Sequence, residues 1–238
     1  MNVDEWSFHL SHIYGCNNSV YITSLSEKLG LLIVSVRSLQ DAIRKKRSKK
    51  KCARALAHVL AWTYALVDHF RFPSIAHYLC LKYPVAACGY CGKKPCKCLP
   101  EKRAKHTPSP IEAEQLLWNF KEWQKHLGTL YGNSNRKRGL SDSFDRLFTE
   151  IAELYHILAG SFIGRTAKDI HCEYGMEIAD VIAWIIAIAV LMEIDLEKAM
   201  RSLYQMGCPS CTHNPCRCRK FVVINRQITH VPTVYAIP

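Results

Sequence analysis

Apolar residues recur at three- and four-residue spacings over about residues 24–44 and 52–70, and again over 141–159 and 170–192. This is the period of amphipathic helices that bury one face. Shorter helical patterns precede each pair (about 4–15 and 111–131, aromatic and followed by a Gly/Asn/Ser-rich turn) and follow it (about 73–82 and 195–205). Strand-like composition is absent until FVVINRQITHVPTVYAIP, Phe221–Pro238, which reads as a small hairpin or a trailing tail. The longest unbroken apolar run, Val181–Met192, has 12 residues, against the roughly 18–20 that a membrane span needs. The pattern predicts an all-α protein with no membrane partner.

The pattern is also written twice. EWSFHLSHIYG, Glu5–Gly15, recurs as EWQKHLGTLYG, Glu122–Gly132; AHVLAW, Ala57–Trp62, recurs as ADVIAW, Ala179–Trp184; and CGYCGKKPCKC, Cys88–Cys98, recurs as CPSCTHNPCRC, Cys208–Cys218. Three matches in one order indicate a duplicated helical unit. The expected organisation is a first repeat at 1–98 ending in a cysteine knuckle at 88–98, a proline-containing linker at 99–110, a second repeat at 111–218 ending in a knuckle at 208–218, and a tail at 219–238.

Composition changes this picture in two ways. The start, MNVDEWSFHL, lacks the basic and apolar pattern of a secretory signal, so a cytoplasmic location is the default expectation. Thiols stay reduced there, and the 12 cysteines then point to metal rather than disulfides. The formal charge of +12 favours an anionic partner such as nucleic acid, a phospholipid surface or a nucleotide. Two four-thiolate zinc sites, each contributing −2, would bring +12 to +8. The densest basic run, RKKRSKKK at Arg44–Lys51, fits a solvated interhelical loop as well as an anion site.

Four acids stand out against the apolar background. Glu177 and Asp180 head the very apolar helix EIADVIAWIIAIAV, and Glu150 and Glu153 share one face of the preceding helix in FTEIAELYHIL. A turn around 159–168 lays the two helices antiparallel and brings the four carboxylates together. Like charges at close range repel and raise one another's pKa, and a hard divalent cation removes the conflict. Mg2+ takes a few carboxylates and keeps its other positions for water and phosphate oxygens.

Taken in order, YGNSNRKRG (Tyr131–Gly139), EIAEL (Glu150–Leu154), EIADVIAW (Glu177–Trp184) and IDLEKA (Ile194–Ala199) resemble the MazG-like, all-α nucleoside triphosphate pyrophosphohydrolases. The likeness covers most of the second repeat and, more faintly, the first. The resemblance implies Mg2+-dependent hydrolysis of a nucleoside triphosphate to the monophosphate and pyrophosphate. It makes Glu150, Glu153, Glu177 and Asp180 the metal-holding and catalytic residues, and nucleotide-pool house-cleaning the expected setting. Arg136, Lys137, Arg138 or Lys168 would neutralise phosphate charge, and Trp184 would stack on a base or pack in the core. Two departures matter. Thr149 stands where family members often carry a further Glu, and the first repeat has Ala55 and His58 in place of Glu177 and Asp180 and no ExxE, so it is a degenerate, structural half. The family commonly builds its bundle from two subunits. The duplication either replaces such a homodimer or doubles it.

Each knuckle has the spacing C-x2-C-x4-C-x-C: Cys88, Cys91, Cys96 and Cys98, then Cys208, Cys211, Cys216 and Cys218. Four thiolates suit one tetrahedral metal, with structural Zn2+ expected and an iron–sulfur cluster the alternative. Cys16, Cys52, Cys80 and Cys172 lack such spacing and are simple core or surface residues. Lys93, Lys94 and Lys97, and Arg217, Arg219 and Lys220, flank the knuckles and allow a second class, nucleic-acid binding. With Tyr90 alone available for base stacking there, that class is disfavoured. An inactive interaction protein of the same fold is the third class.

Overall fold

A computed structural model of the chain describes every residue except 23, 99–109, 160–165, 219–222, 225–226 and 229–238. The expected linker and most of the tail therefore lie outside the described residues. Those described are helical: α1 Val3–Tyr21, α2 Leu25–Arg44, α3 Lys49–Phe70, α4 Ile75–Lys82, α5 Ala113–Leu116, α6 Phe120–Ala159, α7 Ala167–Leu191 and α8 Leu196–Tyr204. Val223–Ile224 pairs antiparallel with Gln227–Ile228, a fragment of the expected hairpin.

The turns expected after the aromatic helices do not form. In α1 the helix runs on through Gly15 to Tyr21, and in α6 it continues through YGNSNRKR and breaks only at Gly139 (φ 83°, ψ 179°), a backbone conformation suited to glycine. Tertiary burial overrides the weak helix propensity of these stretches. Asn17, Asn18 and Asn135 are all buried, and Asn17 donates to the Cys216 carbonyl at 3.2 Å.

Two compact units form, and they cut across the two sequence repeats. One comprises residues 1–4 and 72–194, hence α4, the first knuckle and α5–α7; the other comprises 5–71 and 195–238, hence α1–α3, α8 and the second knuckle. Within each unit, the helical hairpin of one repeat carries the short helix and knuckle of the other. The same joint is made twice: the Cys96 amide donates to the Leu130 carbonyl, and the Cys216 amide to the Ile13 carbonyl, both at 2.8 Å.

In the first unit α7 is the central rod. Ile178, Val181, Ile182, Ile185, Ile186 and Ile188 are fully buried, and α6 and α4 pack on it. Residues 169–191 have the length and apolar composition to cross a membrane, and 67% of their most apolar window is buried inside the protein. The helix is opened by a capping box in which Thr166 and Asp169 exchange hydrogen bonds with each other's backbone amides. On the α4 side Phe72 stacks on Tyr174, and Tyr78 lies flush against Gly175, where a Cβ would come within 2.5 Å of the phenol ring. Gly175→Ala is therefore expected to overpack this joint and destabilise by about 1–3 kcal/mol, readable as a lower urea midpoint without a change of slope. An unchanged midpoint would mean that α4 does not seat on α7 as described.

Candidate functional site

The hairpin of α6 and α7 brings three of the four expected acids to one focus. One carboxylate oxygen each from Glu150, Glu153 and Glu177 lies within 4.8 Å of the others. Glu150 Oε1 accepts the indole N–H of Trp184 at 3.1 Å, which fixes that carboxylate. Glu177 Oε2 is buried with no hydrogen-bond partner among the described residues. An orphaned carboxylate oxygen beside two further carboxylates is a costly arrangement for the protein alone, and a donor set of this kind fits a hard cation such as Mg2+.

Asp180 is placed differently from expectation. It lines a pocket together with Glu150, but its oxygens go to protein partners from the other repeat: Lys82 Nζ binds Oδ2 and the Tyr83 hydroxyl donates to Oδ1. Lys82 also stands 3.8 Å from Glu177 Oε1. The Tyr83 carbonyl is in turn held by the Gln115 side-chain amide (2.8 Å) and by His126 Nε2 (3.2 Å). Burial, then the charge of Lys94, pushes the His126 pKa down to about 4. The ring is neutral at pH 7, and its Nε2–H donates to that carbonyl.

The electrostatics agree with the geometry. Burial first, then Asp180 and Glu153, push the Glu150 pKa up to about 7. Burial likewise raises Glu177 to about 7, with Lys82 pulling it down and Asp180, Glu153 and Glu150 pushing it up. Burial lowers the Lys82 pKa, but Asp180 and Glu177 more than offset this and the net shift is upward. The ammonium is thus held as a cation among the acids.

One pocket joins Glu150, Asp180 and Lys82 to the first knuckle. Lys82, Tyr83, Glu150, Asp180 and Trp184 line it together with Leu127, Tyr131, Ser134, Asn135 and Arg138 of α6, and with Tyr90, Cys88, Cys96 and Cys98. Ala183 and Ala187 of α7 leave room for it. Of the expected phosphate-binding residues, Arg138 and Trp184 line the pocket. Arg136 and Lys137 are exposed and do not, Arg136 being engaged by Asn133 Oδ1 at 2.7 Å. The Lys168 side chain lies outside the described residues. Trp184 is neither simple core nor a free stacking face, because its N–H belongs to Glu150.

Arg146, Lys82, Tyr83 and Asn135 are pocket residues that the sequence reading missed. The only signal for Lys82 and Tyr83 is their place in KYP before the first knuckle, in the repeat without counterparts of the four site acids. In the other unit the counterpart of Asp180, His58, pairs through Nδ1 with the Tyr204 hydroxyl at 2.7 Å.

Both knuckles have the geometry of a four-sulfur metal site. Sulfur pairs stand 3.7 Å (Cys88–Cys98) and 3.9 Å (Cys91–Cys96) apart in the first, and 3.7 Å (Cys208–Cys218) and 3.8 Å (Cys211–Cys216) in the second. A tetrahedron of Zn–S bonds of ~2.3 Å has edges of about 3.8 Å. Backbone amides donate to the sulfurs, from Lys97 to Cys91 (3.4 Å) and from Arg217 to Cys211 (3.3 Å), which favours the thiolate form. A side-chain hydrogen bond from Cys216 overcomes burial and brings the Cys208 pKa down to about 4. Either cluster could bind a metal such as zinc. No family model, no curated protein and no solved structure matches the chain.

Proposed function

We propose that the chain is a Mg2+-dependent nucleoside triphosphate pyrophosphohydrolase of MazG-like type, releasing a monophosphate and pyrophosphate. The observation that carries this reading is the focus of Glu150, Glu153 and Glu177 at the edge of a pocket that Glu150 lines together with Asp180, Lys82 and Arg138. Acids and bases meeting in one cleft suit a metal–phosphate complex and suit an apolar ligand poorly. Glu150, Glu153 and Glu177 would hold the ion, with Asp180 joining once Lys82 releases it. A bound Mg2+ supplies charge neutralisation of the phosphates and acidification of an attacking water.

The chain's own residues do the rest. Trp184 fixes Glu150, and one of the site carboxylates takes the proton of the attacking water. Lys82, held as a cation by Asp180, is positioned to exchange that partner for a phosphate oxygen. Tyr83, anchored by Gln115 and His126, keeps Asp180 oriented.

The test is a panel of ordinary and modified nucleoside triphosphates assayed for pyrophosphate with Mg2+ and with a chelator. Pyrophosphate from at least one member, lost on chelation, is expected. No release from any member at saturating Mg2+ would end the reading.

A further inference from the structure

Four thiolates on one metal suit a purely structural knuckle, yet three cysteines of the first knuckle and Tyr90 line the same pocket as Glu150 and Asp180, within one compact unit. The contact is chemical as well as steric: the Tyr131 hydroxyl, in the pocket wall, donates to Cys88 Sγ at 3.7 Å. Asn135 sits one helical turn beyond Tyr131 on the same face of α6. It lines the pocket, is only 8% exposed, and its carboxamide makes no hydrogen bond among the described residues. Its polar atoms are not sealed away from solvent, so a pocket-lining amide with donor and acceptor both uncommitted offers a ligand one hydrogen bond of each kind.

Resting on the nucleotide reading above, we propose that the metal-loaded first knuckle is the wall of the base end of the pocket, and that Asn135 is the specificity-determining residue that reads the base edge. The phosphate end is fixed by the charged groups Lys82, Glu150 and Asp180. Arg138 and Arg146 add to that charge, and the uncharged lining left for the base is Leu127, Tyr131, Asn135, Tyr90 and the knuckle. Aromatic rings and one carboxamide suit a flat heterocycle with a donor beside an acceptor, which every nucleobase carries. Asn135 therefore separates nucleotides from bare polyphosphate. The second knuckle joins α1 by the equivalent amide bond to Ile13 but belongs to the unit without the acids, so it plays no part in this recognition.

Calorimetric binding to the full-length, zinc-loaded protein tests this in Mg2+, using nucleoside triphosphates with a non-hydrolysable α,β bridge and inorganic tripolyphosphate as probes. Asn135→Leu, Tyr90→Ala and Cys96→Ser are expected to weaken the tightest nucleotide analogue by about tenfold or more, while leaving tripolyphosphate unchanged. Cys216→Ser, the equivalent change in the second knuckle, is expected to lose one zinc by elemental analysis and to bind both probes normally. Asn135→Leu with undiminished nucleotide affinity, or Cys216→Ser as damaging as Cys96→Ser, overturns this proposal and leaves the pyrophosphohydrolase reading standing. Wild-type protein that binds neither probe overturns both. Should Cys96→Ser fail to fold, Asn135→Leu and Tyr90→Ala decide.

Discussion

Replacing Glu177 by glutamine is expected to lower Mg2+-dependent pyrophosphate release by about 100-fold or more, which is roughly 2.7 kcal/mol of transition-state stabilisation, while making the metal-free protein more heat-stable. Both effects follow from one fact. Glu177 is held near 7 by burial and by its acidic neighbours, and its Oε2 has no partner among the described residues. Folding therefore brings together carboxylates that resist ionisation. For an acid whose folded pKa lies above its unfolded value, the folded state is favoured while the proton stays on. The stability that Glu150 and Glu177 provide is full below about 4.5 and is lost as pH rises toward about 7.

Glu177→Gln removes one ionisation from the cluster. A gain of about 1 kcal/mol would raise the midpoint of the metal-free protein by about 2–4 °C at neutral pH, and the gain should vanish near pH 4. Added Mg2+ reverses the ranking: wild type gains more than the variant, and its apparent affinity for the ion climbs with pH up to about 7 as bound protons are displaced. Thermal scans at several pH values with and without Mg2+ measure all of this. A variant that melts below wild type at neutral pH in chelator would show that Glu177 is a stabilising partner and not a strained ligand.

The elements of this site differ in how far the sequence reveals them. The two acid pairs were legible because a three-residue spacing on adjoining antiparallel helices is a local rule, and α6 and α7 obey it for Glu150, Glu153 and Glu177. The knuckles were legible for the same reason: four cysteines within eleven residues leave little freedom, and the sulfur separations match one tetrahedral ion. Lys82 and Tyr83 were hidden. They lie 98 and 97 residues from Asp180, in the repeat that lacks counterparts of the four site acids, and nothing local announces that the repeats trade their C-terminal segments. Asn135 was hidden by a different ambiguity. In YGNSNRKRG, glycine and asparagine signal a turn, and only the burial of that face in α6 turns the side chain into a pocket residue. Ala55 and His58 stand in the first repeat where the second has Glu177 and Asp180. The short helix and knuckle of the first repeat nevertheless fall in one compact unit with the acid-bearing hairpin.

That exchange makes a prediction about fragments that runs against the repeat boundaries. A chain cut to residues 111–218 contains a complete repeat by sequence, but it lacks α4 and the first knuckle. The surface of α7 that receives Tyr78 and Phe72 would then face water, as would the site residues now covered by Lys82 and Tyr83. Ile75 and Leu79 are each almost wholly buried in α4, and side chains of this size contribute about 1.5–3 kcal/mol apiece. Losing two of them together with the ring packing of Tyr78 removes a large part of the roughly 5–15 kcal/mol that keeps a domain folded. Residues 72–194 retain these contacts and give up mainly Asp4, whose carboxylate accepts from the Ile75 and Ala76 amides and the Ser74 hydroxyl at the start of α4, a cap worth about 1 kcal/mol. The expected result is that 72–194 in Zn2+ melts cooperatively by circular dichroism, while 111–218 shows helical signal without a cooperative transition and is digested rapidly by a broad-specificity protease. A cooperative, protease-resistant 111–218 would mean that each repeat completes its own core, and Lys82 would then lose its place beside Asp180.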